Sequence, residues 1–211
     1  MEDNVVINSC LMWALGLYTP VDLRYIFDEE DLKDTGVELE SHITLLYAAG
    51  KRLPRKSMID DIKTVLGDDF SEFIKYCEEI RYEKVLSLFE LSFFENDSDY
   101  LILKLKKDTP MYKWCGLINK ALRTKYNVKS DFDEFTPHMT LAELKPGTVS
   151  KYLESETLEL LLNDTMIDFE DILISYGTAN EVQDRKQYYL TQYKNVDRFF
   201  RLERLRRETI D

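Results

Sequence analysis

Two histidines are all that this chain of 211 residues carries, and both stand in the same short pattern. His42 opens the run His-Ile-Thr-Leu, and His138 opens His-Met-Thr-Leu. Imidazole is the side chain best suited to take or give a proton near neutrality. A threonine hydroxyl can donate a hydrogen bond to an oxygen that is gaining charge. Side chains alternate across a strand, so His42 and Thr44 would share one face, as would His138 and Thr140. Ile43, Leu45, Met139 and Leu141 would then pack on the opposite face. Laid side by side, two such strands bring two imidazoles and two hydroxyls to one spot. One imidazole could serve as general base and the other as general acid on opposite sides of a reacting centre. The hydroxyls could meet the nonbridging oxygens, where charge builds in a phosphoryl transition state. That is equipment for cutting a phosphodiester without a metal.

A lone histidine is more often a packing or surface residue than a catalyst. Here the pairing weighs against that reading. The chain has 14 threonines in 211 positions, so two independent His–x–Thr matches arise by chance with a frequency of about 0.004, before the shared leucine is counted. Two histidines with scattered carboxylates show no zinc spacing such as HExxH or CxxC, and the expectation is no metal and no cofactor. There is no Gly-rich phosphate loop and no serine nucleophile elbow either.

The elements that would hold the pattern can be read from apolar spacing. Residues 10–18, CLMWALGLY, form a short apolar run, a buried strand or the start of a helix. FDEEDLKDTG follows as an acidic loop or short helix. HITLLYA has strand composition, and the basic turn GKRLPRKS comes after it. Met58, Ile59, Ile62, Val65 and Leu66 repeat at helical spacing up to Gly67, and DDFSEFIKYCEEI is a second helix. KVLSLFELSFFENDSDYLILKLKK reads as a hairpin turning at ENDSD. MYKWCGLINKALRTKYN is an amphipathic helix, and HMTLAEL is a strand stopped by KPG. A last helix and strands fall in LELLLNDTMIDFEDILISYGTAN and RKQYYLTQYK. This order predicts an α+β fold, largely antiparallel sheet with helices outside. At this length residues 1–211 are most simply one domain or two close lobes.

Composition narrows the partners. A net charge of −12 disfavours nonspecific binding to duplex DNA or an anionic membrane, so an anionic ligand needs a local basic patch. Cys10, Cys77 and Cys115 are odd in number and far apart, as in a reduced intracellular protein. The N-terminus MEDNVVINSC lacks the build of a signal peptide, and no apolar run is long enough to span a bilayer. The expected location is the cytoplasm, that of the host if the protein is viral. The expected state is a monomer or weak homo-oligomer.

The paired motifs resemble the two-histidine phosphoesterase superfamily, which includes bacterial RNA ligase–like cyclic phosphodiesterases and enzymes that degrade 2′,5′-oligoadenylate. ESHITLLYAAGK, LSFFENDSDYLILKL, FTPHMTLAELKPGTVSKY and ILISYGTAN further resemble a phage branch, the anti-CBASS phosphodiesterases, over roughly residues 10 to 195. The resemblance implies a bilobal α+β fold with antiparallel sheets lining a central cleft. It implies His42 and His138 as the acid/base pair and Thr44 and Thr140 as phosphate ligands. One imidazole would deprotonate a ribose 2′-hydroxyl, and the other would protonate the leaving oxygen. The substrate would be a cyclic di- or trinucleotide or a short oligonucleotide. Two departures stand out: the motifs are 138 − 42 = 96 residues apart, and the acidic stretch lies just before the first.

Further candidates are weaker. Lys51, with Arg52, Arg55 and Lys56, could offset the acidic surface, although a solvated turn is the plainer reading. Tyr18 and Tyr176 end apolar runs near places where the family puts base-stacking aromatics, and either could equally be core. Glu143, at odd spacing from His138, is expected to face away from it on a regular strand. DRFFRLERLRRETID has apolar residues at helical spacing among five arginines and reads as a closing amphipathic helix. Two rival functions remain: an enzyme acting on RNA 2′,3′-cyclic phosphates or 2′–5′ linkages, and a noncatalytic nucleotide-binding module.

Overall fold

The computed structural model describes residues 7–38, 40–54, 57–129 and 134–178. Its strands are β1 (Ile7–Tyr18), β2 (Leu32–Val37), β3 (His42–Ala48), β4 (Glu83–Lys84), β5 (Phe89–Glu95), β6 (Asp99–Leu105), β7 (His138–Leu144) and β8 (Met166–Thr178). Its α-helices are α1 (Met58–Leu66), α2 (Asp69–Glu79), α3 (Val85–Leu88), α4 (Pro110–Tyr126), α5 (Val149–Leu153) and α6 (Glu156–Asp164). The strands build two four-stranded sheets, in the orders β3-β1-β8-β4 and β2-β7-β6-β5. Every strand pairing among them is antiparallel. The α+β expectation holds, and one motif strand belongs to each sheet.

Local chemistry explains where the elements begin and end. Helix α4 starts at Thr109, whose hydroxyl accepts the Tyr112 N–H at 3.3 Å, with Pro110 in the first turn. It stops at Asn127 in the left-handed conformation, which Asn tolerates better than most residues. Gly67 ends α1 at a positive φ of 53°, its N–H donating to the Lys63 carbonyl. Ser155 caps α6 by accepting the Leu158 N–H at 3.2 Å.

Strand β1 shows how the frame is anchored. Leu11, Trp13 and Leu15 turn to the core, where Trp13 packs on Phe73 of α2 and Phe169 of β8 at ring separations of 4.9 and 4.7 Å. Aromatic contacts at such distances add to the burial of apolar area that drives the packing. Helix α4 lies against β3 on this side, and α5 lies against β5 and β6 of the other sheet. The main cluster of buried side chains runs through both sheets, from Leu11 and Ile43 to Leu103 and Met139. Cys10, Met12 and Ala14 point the other way and form a separate small apolar cluster.

The acidic stretch is docked on α5. Lys151 pairs with Asp28 and, at 2.7 Å, with Asp31, and the Tyr152 hydroxyl donates to Asp31 at 2.7 Å. The chain then runs into β2, a strand in place of the expected loop. It pairs with β7 at Leu32–Leu144 and Val37–Ala142 with an irregularity between. Residues 185–194 and 197–211, for which a strand and a closing helix were expected, lie outside the described residues.

Candidate active site

The two motif strands are not hydrogen-bonded neighbours; among the described residues β3 is the edge of one sheet and β7 is interior to the other. They nevertheless lie against one another. Each repeats the same irregularity at the same place. On β3, Leu11 of β1 pairs with Leu46 while Met12 pairs with Thr44, so Leu45 is an extra residue. On β7, Leu101 of β6 pairs with Ala142 while Ile102 pairs with Thr140, so Leu141 is extra. These are β-bulges, which bend a strand and re-aim the side chains beyond them. The leucine shared by the two motifs is the bulged residue in both, and both leucines are fully buried in the core. His42, Thr44, His138 and Thr140 are all partly exposed, whereas Ile43 and Met139 between them are fully buried. The alternation expected of the motifs is realised twice.

The imidazoles are oriented by matching bonds. His42 Nδ1 lies 2.8 Å from the Glu40 carbonyl oxygen, and His138 Nδ1 lies 2.8 Å from that of Thr136. A carbonyl only accepts, so each Nδ1 carries the hydrogen and each Nε2 carries the lone pair that can take a proton. In both cases the acceptor is two residues before the histidine. Burial lowers the His138 pKa from its usual 6.5; the bond to Thr136 opposes this shift, and the charge of His42 adds to it. The two imidazoles are therefore within electrostatic reach of each other. The ring of Phe94 meets His138 edge to face, 4.7 Å between centroids, and adds to its desolvation. Beside the other histidine, the Glu40 carboxyl is pushed up to about 7 by burial and then by Glu38.

The surroundings are apolar close in and polar further along. Met12 pairs with Thr44 and Ala14 with His42, so both share the motif face, and both are buried. Ile102, opposite Thr140, is fully buried as well. Cys10 Sγ lies 3.9 Å from Thr44 Oγ1. Burial pushes its thiol up to about 11, partly offset by that contact, which keeps it from being a thiolate nucleophile.

Sequence reading missed three residues here. The bulge at Leu141 returns Glu143 to the His138 face, which corrects the expectation that it points away. It is buried, and its Oε1 accepts the Ser98 hydroxyl at 2.8 Å and the Tyr100 hydroxyl at 3.1 Å. The bulge at Leu45 does the same for Tyr47, which pairs with Cys10 on the motif face and is 48% exposed. Lys104 of β6 pairs directly with His138. The consecutive apolar residues Leu45-Leu46 and Leu141-Ala142 were the signal of a bulge; nothing local marked Lys104.

Other candidates fall elsewhere. Lys51 donates to the carbonyls of Tyr126, at 3.0 Å, and Asn127, so its ammonium caps the end of α4. Tyr18 lies four residues beyond Ala14 on β1, roughly 13 Å along an extended strand, with its ring 5.5 Å from that of Tyr82. Tyr176 pairs with Ser9 through β8, and its side chain is outside the described residues, as are Arg55 and Lys56. Among the described residues, no three His, Cys, Asp or Glu side chains cluster as a metal site requires. Within the same residues no helix is long and apolar enough to cross a membrane.

No protein-family model matches the chain, and no curated protein matches it. Among solved structures it is similar to that of Kluyveromyces marxianus Usb1 with uridine monophosphate, at 13% identity and a TM-score of 0.38, covering 81% of this chain and 96% of that one.

Proposed function

We propose that the protein is a metal-independent phosphodiesterase that cleaves 3′–5′ bonds of cyclic or short linear oligonucleotides, with His42 and His138 as its acid/base pair. The observation that carries this reading is the duplicated device. Two imidazoles are held in the same tautomer by the same bond, each beside a threonine hydroxyl and each followed by a buried bulge leucine. A structural role for either histidine does not call for such a match.

The surroundings favour one division of the roles. Desolvation favours neutral His138, so in the cleavage direction it is the base that removes the 2′-hydroxyl proton through Nε2. The 2′-oxygen attacks phosphorus, the bond from phosphorus to the 5′-oxygen breaks, and His42 supplies the proton that the leaving oxygen takes. The product ends in a 2′,3′-cyclic phosphate. Thr44 and Thr140 donate to the nonbridging oxygens as charge builds there. Tyr47, half exposed on the same face, is placed to stack on a base beside the scissile phosphate.

A role as a phage enzyme that destroys cyclic nucleotide immune messengers follows from the resemblance of the flanking segments, and it belongs to this same proposal. Incubation with a panel of cyclic di- and trinucleotides, read by mass spectrometry, tests it. The expected result is linear product ending in a 2′,3′-cyclic phosphate. A panel left wholly intact, with a 2′–5′-linked or 2′,3′-cyclic substrate consumed, would transfer the site to RNA-end chemistry.

A further inference from the structure

We propose that Lys104 is a phosphate-binding residue of this site and that Glu90 competes with the phosphate for it. The inference rests on the phosphodiesterase reading above. Strand register is its first support. Lys104 of β6 lies directly opposite His138 of β7, and Glu90 of β5 lies directly opposite Lys104. Residues directly opposed across antiparallel strands share a face, with Cβ atoms roughly 5 Å apart. The three side chains therefore form one row across the sheet: imidazole, ammonium, carboxylate.

Charge is the second support. A chain of net charge −12 repels a phosphodiester unless a cation waits at the site. Among the described residues, three other lysines with a claim are committed elsewhere. Lys51 caps α4, Lys151 holds the acidic stretch, and Lys33 donates to Ser98 Oγ and the Asp97 carbonyl at 2.7 and 2.8 Å. Lys104 is committed to Glu90, Nζ to Oε1 at 3.2 Å, and both side chains are solvent-accessible, at 28% and 52%. A pair so exposed holds its partners weakly. The lysine stem has four rotatable bonds, so the ammonium can leave Glu90 and swing toward β7, where a phosphate between the imidazoles presents its charged oxygens. Glu90 thus holds the cation in place without ligand and yields it when a stronger anion arrives.

A bridge that merely braces the sheet and a bridge that competes with substrate respond differently to mutation. If the pair were only a brace, removing either partner would act in one direction. If Glu90 competes, the two substitutions act in opposite directions. The test measures KM and kcat on a cleaved cyclic dinucleotide, at low and moderate salt, for the wild type, Lys104→Met, Lys104→Arg and Glu90→Gln. Thermal melts of each variant report on folding. Lys104→Met should raise KM about tenfold and flatten its dependence on salt, whereas Lys104→Arg should retain most of the affinity. Glu90→Gln should lower KM by about twofold. Unchanged KM in a folded Lys104→Met, or a rise in KM in both Lys104→Met and Glu90→Gln, overturns the proposal while the phosphodiesterase reading stands. A wild type that neither cleaves a nucleotide nor binds adenosine 3′-monophosphate by calorimetry overturns both.

Discussion

Strands β3 and β7 carry one device on two different supports. Each holds a histidine by the carbonyl two residues upstream, presents a threonine beside it, and then bulges at a buried leucine. A bulge breaks the ladder, and its carbonyl must find another donor when buried. On β7, an interior strand, the neighbouring backbone supplies it: the Glu38 N–H donates to the Leu141 carbonyl at 2.8 Å. Among the described residues β3 is an edge strand without such a neighbour, so a side chain does the work. Asn119, buried in α4, donates through Nδ2 to the Leu45 carbonyl at 2.7 Å. What repeats is the local backbone pattern around each histidine. What differs is how the fold pays its polar debts, and therefore where each arm is vulnerable.

The largest expected effect tests whether the two arms act as one unit. His42→Ala and His138→Ala should each lower kcat/KM by about a hundredfold or more. The double variant should be little worse than either single one, as expected of groups that share one step. Steady-state kinetics on folded variants would read this, and near-normal turnover in one single variant would remove that arm from the chemistry.

Next in size is the difference in support. Asn119→Leu leaves the Leu45 carbonyl buried without its donor and should cost about 1–3 kcal/mol of stability, measured by urea unfolding. Thr44 and His42 should be displaced with it, so activity should fall further than a stability loss alone would bring. The matching donor on β7 belongs to the backbone, so no substitution at Glu38 other than proline deletes it. If Asn119→Leu is as stable and active as the wild type, the edge strand does not depend on α4 as described.

The position five residues after each histidine sharpens the contrast. Tyr47 is open to solvent, while Glu143 is buried under Ser98 and Tyr100. Tyr47→Ala should raise KM by about tenfold through lost stacking, and Tyr47→Phe should keep most of the affinity. Equal affinities in all three proteins would take the base off this arm.

The smallest effect is a shift in pH dependence. The base must be neutral to act, and burial lowers the His138 pKa, so the acid limb of kcat/KM should lie below the usual 6.5. Phe94→Ala admits water to the imidazole and should move that limb up toward 6.5. A limb already at or above 6.5 in the wild type would argue against His138 as the base.

Much of this frame was legible in the residues themselves. The run HITLLYA reads as a strand and is one, and the alternation of His42 and Thr44 against Ile43 survives in three dimensions. The amphipathic spacing of α1 and α4 and the ENDSD turn between β5 and β6 also correspond to observed elements. Sequence and structure part where a strand is irregular. An extra residue at Leu141 reverses the face of everything after it, so Glu143 was assigned to the wrong side. LKDTGV lacks the β-branched alternation of a strand, and β2 forms because β7 offers it pairing partners. Lys104 and His138 are 34 positions apart in sequence and adjacent only through register, which no local pattern encodes.

One measurement bears most directly on the matched pair as an acid/base catalyst of 2′-hydroxyl attack. A cyclic dinucleotide found to be cleaved is compared with its analogue carrying a 2′-deoxyribose beside the scissile phosphate, both in excess EDTA. The ribose substrate should be cut at an undiminished rate, with early product bearing a 2′,3′-cyclic phosphate. The deoxy analogue should bind and stay intact at that bond. Cleavage of the deoxy analogue at the ribose rate would contradict the account by making water the nucleophile. Loss of all activity in EDTA, restored by zinc or manganese, would contradict it by making a metal do the work assigned to the two histidines.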